Sequence, residues 1–310
     1  MFKFSTEQKV FEIGRVKVGG QPGQLPPVMV GSIFYSGHRV VEDEKGGLFN
    51  RVRARELLEA EADISEKTAL PRIIDVVGNH PEALVKYIDF VAEVTEDPFL
   101  VDGITAQVRI PAVAHIREVG LEERAVYNSL APAWEEAEVE ALKASGIKAA
   151  VLQATNARNP TVAGRVQVLK DSAQGPGLTT LASRAGVEKM LVDTSVMDTP
   201  DIGVAARAVY EVKRETGLPA GLGPSNAIST WKQLRKFEPE VLKGCDAATQ
   251  AFPIAIGANF ILYGPISNAK YVYPACALAA AYVEYSMRQE GIRPLVAKRP
   301  LTVMMSRPAA

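Results

Sequence analysis

The amino-acid sequence predicts a single α/β domain folded as a closed (β/α)8 TIM barrel. The chain has 310 residues, of which 47% are apolar and 23% charged, as expected for one large globular core. Such barrels take about 250 residues as one unit, which leaves room for two terminal arms but not for a second domain. The third observation is that eight short apolar runs alternate with longer helical patterns along the chain.

The eight apolar runs are predicted to be parallel strands, because short continuous apolar segments bounded by Gly or Pro are typical of strands buried on both faces. In chain order they span residues 28–35, 72–77, 98–104, 124–130, 148–155, 189–194, 219–223 and 259–264. An open doubly wound sheet is the main alternative. We favour it less because no GxGxxG follows the first run, where the sequence reads GSIFYSG.

Helical patterns lie between these strands, as right-handed βα crossovers require. They span residues 51–62, 81–93, 133–145, 201–216, 230–237 and 274–289. Pro81 suits a first helical turn, and Gly146 and Gly217 stand where helices commonly end.

Two terminal segments fall outside the alternation. Residues 1–27 form an N-terminal extension in which residues 10–20 alternate around a Gly-Arg turn, so we expect a hairpin that closes the barrel bottom. Residues 291–310 form a Pro-rich, apolar C-terminal arm that we expect to lie on the barrel or on a second subunit.

Composition narrows the function classes. The formal net charge is −1, so no basic excess favours nucleic-acid binding. Two cysteines and three histidines without clusters make a metal site unexpected. The sequence has no apolar stretch long enough for a membrane span and no secretory leader pattern, so we expect a cytoplasmic protein.

Polar residues recur where the predicted strands end, which is the active-site end of a TIM barrel. They are Asp75, Asp102, Asn128, Gln153 and Asp193, with Ser225 and Asn226 in the loop after the seventh strand. Taken singly, each could be a helix cap, a turn residue or a polar filler. Several carboxylates gathered on one rim are costly unless a metal ion or a ligand rich in N–H groups compensates them.

The residues leave two kinds of ligand open. Carboxylates and amides without a Lys or His base suit a neutral heterocycle such as a pterin, whose amino group and ring N–H can both donate to one carboxylate. The Gly-rich loops 221–227 and 263–268 suit phosphate, which keeps a phosphate-binding, metal-dependent lyase as an alternative. Tight turns alone would also explain those glycines.

The chain resembles the corrinoid-dependent methyltransferases that act on tetrahydropterins. The family includes the H subunit of tetrahydromethanopterin S-methyltransferase and bacterial corrinoid protein:tetrahydrofolate methyltransferases of the glycine betaine pathway. The opening segment 3–41 carries the most specific part of this resemblance. Shorter pieces are FLVDGI at Asp102, YNSL at Asn128, LVDTSVMD at Asp193 and GLGPSNA at Asn226.

The resemblance implies a role for each rim residue. It implies that Asp102, Asn128 and Asp193 hold the pterin ring and that Asn226 is the catalytic residue beside the reacting N5 nitrogen. Further pterin-binding positions would be Asp75, Gln153, Gly221 and Ser225. Dihydropteroate synthases, another pterin-binding barrel family, carry a lysine after strand seven and an arginine after strand eight, and this sequence has neither.

The same resemblance implies the reaction and its partners. A methyl group would move between the methyl-Co(III) corrinoid of a separate protein and N5 of tetrahydrofolate, during demethylation of a methylated amine such as glycine betaine. Tetrahydromethanopterin is the alternative pterin, and a non-catalytic pterin-binding subunit is an alternative role. We expect methylcobalamin to be carried by the partner, no metal bound by this chain itself, and a homodimer.

Overall fold

A closed barrel of eight parallel strands forms the centre of the molecule in a computed structural model that describes residues 2–306. The barrel strands are β3 (Val28–Ile33), β6 (Arg72–Gly78), β7 (Phe99–Gly103), β8 (Ala125–Leu130), β9 (Ala149–Gln153), β10 (Lys189–Asp193), β11 (Ala220–Leu222) and β12 (Phe260–Pro265). The barrel closes where β12 pairs with β3, with Ile261 opposite Met29. The predicted fold class and all eight predicted strands are confirmed.

Helices surround the barrel. They are α1 (Arg51–Thr68), α2 (Pro81–Val94), α3 (Ala106–Glu118), α4 (Glu136–Ser145), α5 (Val162–Gln167), α6 (Leu178–Arg184), α7 (Asp201–Thr216), α8 (Ser225–Thr230), α9 (Pro239–Ala255), α10 (Ala269–Met287) and α11 (Pro300–Met305). Five of the six predicted helical segments are α-helices, whereas the segment 230–237 contains a 3₁₀-helix over Lys232–Lys236. The sequence reading missed six helices. Four of them, α5, α6, α8 and α11, have only six or seven residues. The other two, α3 and α9, each contain an interior proline, Pro111 or Pro253, which disfavours a helical pattern.

The inward-facing side chains change character along the barrel axis. Because side chains alternate along a strand, residues two apart share one face. In the N-terminal half this face carries one apolar cluster, which includes Val28, Val30, Ile73, Leu100, Val126, Val151 and Leu191. Two residues beyond members of this cluster, the same face carries the polar residues Ser32, Asp75, Asp102, Asn128, Gln153 and Asp193.

An antiparallel hairpin of β1 (Val10–Ile13) and β2 (Val16–Gly19) seals the N-terminal end. Ile13, Val16 and Val18 are buried in the same cluster as the barrel interior. The Gly14 N–H at the turn donates to the Glu123 carbonyl oxygen at 3.2 Å. The predicted bottom-closing hairpin is therefore confirmed. A second small hairpin, β4 (Val41–Asp43) and β5 (Leu48–Phe49), lies in the loop after β3.

The C-terminal arm lies on this chain's own barrel, one of its two expected positions. The Leu295 N–H donates to the Gln24 carbonyl oxygen at 2.8 Å, and Arg299 Nε donates to Glu284 Oε1 at 2.7 Å. Residues 307–310 of the predicted arm lie outside the described residues. Across residues 2–306, no helix combines the length and apolarity needed to cross a bilayer.

Candidate active site at the C-terminal end of the barrel

Polar side chains from four neighbouring strands meet inside the C-terminal end of the barrel. Ser32 of β3 donates its Oγ hydrogen to Asp75 Oδ2 of β6 at 2.5 Å. Asp102 of β7 and Asn128 of β8 are paired in register and adjoin the Asp75 carboxyl group closely enough to act on its pKa. The structure thus brings together three predicted site residues. Ser32 was missed, although the alternation Val28, Val30, Ser32 places it on the inward face.

Two adjacent carboxyl groups dominate the electrostatics of this cluster. Asp75 is only 3% exposed, and burial raises the pKa of its carboxyl group to about 6. Burial also raises the pKa of Asp102 well above its usual value, and the neighbouring Asp75 carboxylate raises it further. Two carboxyl groups that share one enclosed site cannot both ionise without a compensating donor. The pair therefore retains a proton at pH values where an exposed aspartate is ionised.

Asp193 forms the opposite side of the barrel mouth, beside Gln153 in the register of β10 with β9. Both side chains keep part of their surface open to the mouth. Burial raises the pKa of the Asp193 carboxyl group to about 6, although the Ser195 N–H and the charge of Arg165 both oppose this rise. The Ser195 N–H donates to Asp193 Oδ1 at 2.8 Å, which fixes the direction of the carboxylate.

Arg165 of α5, whose charge acts on Asp193, is a candidate site residue that sequence reasoning missed. Its side chain is 2% exposed, and its Nη2 donates to both carboxylate oxygens of Asp201, at 2.8 and 2.6 Å. Asp201 Oδ2 also accepts the Met197 N–H at 2.8 Å, so the pair holds the loop that follows Asp193. A lone arginine in a short helical segment carries no sequence signal, because its partner lies 36 residues away.

The site residues predicted in the loop after β11 have different hydrogen-bond partners from those of the carboxylate cluster. Asn226 lies exposed in α8, and its Nδ2 donates to the Val196 carbonyl oxygen at 2.8 Å in the loop after Asp193. Ser225 Oγ accepts a hydrogen bond from Gln250 Nε2 at 3.1 Å. A Cβ at Gly221 would lie 2.7 Å from the ring of Phe260, so packing by itself explains the glycine there. The ligand roles of Gly221 and Ser225 stay predictions.

Several enclosed polar atoms of the site have no hydrogen-bond partner among residues 2–306. They are Asp75 Oδ1, Ser195 Oγ and Arg165 Nη1. Because buried polar groups are paired in nearly all proteins, such atoms are candidates for contact with a ligand. Among the described residues, no group of three or more His, Cys, Asp or Glu side chains is arranged to hold a metal ion.

Comparisons with known proteins agree on one family. Residues 6–295 match the family model described as tetrahydromethanopterin S-methyltransferase MtrH subunit. The chain is 40% identical over 303 residues to the H subunit of tetrahydromethanopterin S-methyltransferase from Methanothermobacter thermautotrophicus, covering 95% of this chain and 97% of that protein. It is 37% identical over 311 residues to the H subunit of the putative methyltransferase mtx from Methanosarcina barkeri, covering 98% and 100%.

Solved structures agree on the fold. The chain superposes on a dihydropteroate synthase from Coxiella burnetii with a TM-score of 0.61 and 15% identity, covering 91% of this chain and 100% of that one. At that identity the likeness shows a shared barrel fold alone. The matches to sequence relatives are far stronger and span nearly the whole chain. The chain therefore belongs to the MtrH family of tetrahydromethanopterin S-methyltransferase subunits.

Proposed function

We propose that this chain binds a tetrahydropterin in the C-terminal mouth of its barrel and transfers a methyl group between the pterin N5 and a corrinoid carried by a separate protein. The observation that carries the proposal is the set of acceptors around Asp75, Asp102 and Asp193, including the unpartnered Asp75 Oδ1. A pterin presents an amino group and a ring N–H along one edge. Those donors would pair with acceptor atoms that the protein leaves without a partner, such as Asp75 Oδ1, and would favour the ionised form of these carboxyl groups.

Each rim residue then has a stated task. Asp102 would accept hydrogen bonds from the pyrimidine edge of the ring, and the Asn128 amide would accept or donate hydrogen bonds there. Asp75 would lie behind these two residues. Asp193 would hold the ring from the other side of the mouth. Gln153, Gly221 and Ser225 would line the remaining rim.

Asn226 is proposed as the catalytic residue beside N5. Its Nδ2 donates one hydrogen to the Val196 carbonyl oxygen, which orients the amide and leaves Oδ1 as an acceptor and the second Nδ2 hydrogen as a donor. An N5–H that donates to Oδ1 would be oriented with its lone pair toward the incoming methyl carbon. This is a positioning task, and positioning is a large part of the barrier in group transfer.

The corrinoid supplies an electrophilic methyl carbon, and this chain supplies the nucleophile in a fixed orientation. The N5 lone pair forms the new bond to carbon, the carbon–cobalt bonding pair stays with the corrinoid, and the N5 proton passes to water. This methyl transfer needs no strong side-chain acid, which agrees with a mouth lined by carboxylates and amides.

The names of the relatives support one pterin over the other. The family resemblance placed tetrahydrofolate and the glycine betaine pathway first and tetrahydromethanopterin second. Relatives of this chain at 34–40% identity are named for tetrahydromethanopterin S-methyltransferase or for a putative methyltransferase. We therefore put tetrahydromethanopterin first. The two pterins share the reacting ring, so the proposed roles of the rim residues hold for both.

The names of the relatives also bear on assembly. They are named as single subunits of larger enzymes, which supports a role beside a corrinoid-carrying partner protein. The homodimer expected from the family resemblance stays a prediction, and analytical ultracentrifugation of the purified chain would test it.

The decisive experiment is an anaerobic calorimetric titration with tetrahydromethanopterin and with tetrahydrofolate, followed by methyl transfer from methylcobalamin, observed by visible absorbance. Binding of one pterin together with methyl transfer is the expected result. Binding without transfer, even when a methylated corrinoid protein is added, would indicate a non-catalytic pterin-binding subunit. If neither pterin binds, the proposal is wrong, and a magnesium-dependent reaction of a phosphorylated substrate would favour the lyase alternative.

A further inference from the structure

A large cleft opens beside the barrel mouth. Its volume is about 840 Å³, within the range of about 300–1,000 Å³ that is typical of small-molecule sites. The walls are the loop between β8 and α4, the loop between β9 and α5, and the segment joining α5 to α6. Gln153 lines the cleft and also stands in the barrel rim, one strand from Asn128 and one from Asp193. The cleft therefore adjoins the proposed pterin site at Gln153.

The charge of the cleft is opposite to that of the mouth. Two cations, Arg158 and Lys170, line it, and no acidic residue stands among the described residues of its lining. Lys170 Nζ is already paired with Glu215 Oε2 at 2.6 Å. Arg158 is exposed, and no carboxylate within residues 2–306 forms an ion pair with it. Arg158 is thus the cation available to an anionic ligand in this cleft.

Apolar and amide groups complete the lining. Trp134, Pro176 and Leu178 present flat or apolar surface, and Asn156 and Gln174 present amide groups. The Arg184 guanidinium lies 5.6 Å from the centroid of the Trp134 ring and restricts its orientation. Aromatic and apolar walls with a few polar groups and one free cation suit an aryl group that ends in an anion.

We propose that this cleft, which we call the tail cleft, binds the aryl and anionic tail of the tetrahydropterin, with Arg158 as the residue that pairs with the anion. The inference rests on the proposed function, since it takes the pterin ring to occupy the adjoining mouth. The two sites would then bind different parts of one ligand. The acidic mouth binds the neutral, donor-rich ring, and the tail cleft binds the anionic tail. The pterin tail thereby determines affinity at residues distant from the reacting N5.

The test uses two ligands and two variants of the full chain. Tetrahydrofolate carries an aryl tail ending in carboxylates, and 6-methyltetrahydropterin has the same ring without a tail. Arg158→Ala should weaken tetrahydrofolate binding about tenfold at low ionic strength and leave 6-methyltetrahydropterin binding within about twofold. Arg207→Ala removes an exposed arginine of α7 outside the cleft and should change neither.

The outcomes separate this inference from the proposed function. If the wild-type chain binds neither of these ligands nor tetrahydromethanopterin, the proposed function fails and the inference fails with it. If it binds tetrahydromethanopterin alone, the affinities of wild type and Arg158→Ala are compared with that pterin, and equal affinities overturn the inference. If both ligands bind wild type with equal affinity and Arg158→Ala changes neither, the proposed function stands and the tail assignment is wrong. Equal weakening of both ligands would also overturn it. The inference would also be overturned if Arg158→Ala raised only the KM for a methylated corrinoid protein, because the cleft would then contact that partner.

Discussion

The two ends of the barrel enclose side chains of opposite character. At the N-terminal end, Ile13 and Val18 of the hairpin are completely buried against the apolar interior. At the C-terminal end, Asp75 is 3% exposed, with Asp102 beside it and Asp193 on the opposite side of the mouth. Side chains at both ends come from the inward-facing side of the same strands. The change from apolar to polar therefore takes place between residues that are only two positions apart along a strand.

Carboxylates at the two ends differ in what surrounds them. Asp97, near the N-terminal end, accepts hydrogen bonds from Arg72 Nε at 2.6 Å and from Arg15 Nε at 2.7 Å. Burial alone would raise the pKa of Asp97, but the Arg72 and Arg15 guanidinium groups outweigh burial and hold it below the usual value. For Asp193 burial prevails, and the pKa is about 6. One end is built for stability, and the other leaves charge uncompensated until a ligand arrives.

The largest expected effect is on stability at the sealed end. Ile13→Ala should lower the free energy of unfolding by about 2–5 kcal/mol, because it leaves a cavity between the hairpin and the barrel interior. Urea denaturation followed by circular dichroism measures this. Val10→Ala, at a 39% exposed position of the same hairpin, is the matched control and should cost far less. Pterin affinity should stay within about twofold; a parallel loss of affinity would show that the two ends are not separate.

The next effect has opposite signs for binding and stability. Asp193→Asn keeps an oxygen for the Ser195 N–H but removes the charge, so pterin binding should weaken by about 1.5–3 kcal/mol. The ligand-free variant should be more stable at pH 7 by about 1 kcal/mol, because the fold no longer has to ionise an enclosed carboxyl group. Calorimetry and urea denaturation measure the two effects.

Asp97→Asn is the control from the other end of the barrel. It should lose stability, because Arg72 would be left with less compensation in a buried position. A stabilised Asp97→Asn or a destabilised Asp193→Asn would contradict the contrast between the two ends.

Asn226→Ala should slow methyl transfer roughly tenfold to a hundredfold, an order expected for loss of a group that orients the reacting atom. Pterin affinity should change modestly, because the ring is held by other residues. Single-turnover kinetics with methylcobalamin would measure the rate. Ser229→Ala, on the same short helix, removes only a hydrogen bond from Ser229 Oγ to the Asn226 backbone carbonyl oxygen at 3.2 Å and keeps the Asn226 side chain, so it should leave the rate unchanged. An unchanged rate in Asn226→Ala would remove this residue from the mechanism.

The smallest effect is a pH dependence that differs between binding and folding. Asp75 and Asp193 have pKa values of about 6. A ligand N–H that pairs with Asp193 needs the ionised form of that one carboxyl group, so pterin affinity should fall about tenfold from pH 7 to 5. Their contribution to stability runs the other way. It is present in full below the pKa of an unfolded aspartate and is lost as pH rises toward 6, since the fold then holds protons that the unfolded chain has released.

Titration in buffers of different ionisation heat would reveal the proton released on pterin binding. Asp193→Asn should flatten the pH dependence of affinity. A pterin affinity that stayed constant from pH 5 to 7 in the wild-type chain would contradict the electrostatic account of the mouth.

Sequence reasoning was most successful where the signal was local. Eight apolar runs and the alternation within them predicted the strands, the closed barrel, the hairpin and the rim positions of Asp75, Asp102, Asn128 and Asp193. Strand periodicity and turn residues are properties of neighbouring residues, so one sequence suffices to show them. It was least successful for long helices such as α3 and α9. Each contains an interior proline, which in a sequence indicates a helix end, although packing in the folded protein accommodates it within the helix.

Contacts between distant segments were decided only by the tertiary structure. The Ser32–Asp75 hydrogen bond joins residues 43 positions apart, and the Arg165–Asp201 pair joins residues 36 apart. Likewise, only the closed barrel places two carboxyl groups together and removes them from water, which is what raises their pKa values. By itself the sequence determined which residues point into the barrel, because that depends on local alternation. The tertiary structure decided which of them remain without a partner, because pairing and exposure depend on the whole fold.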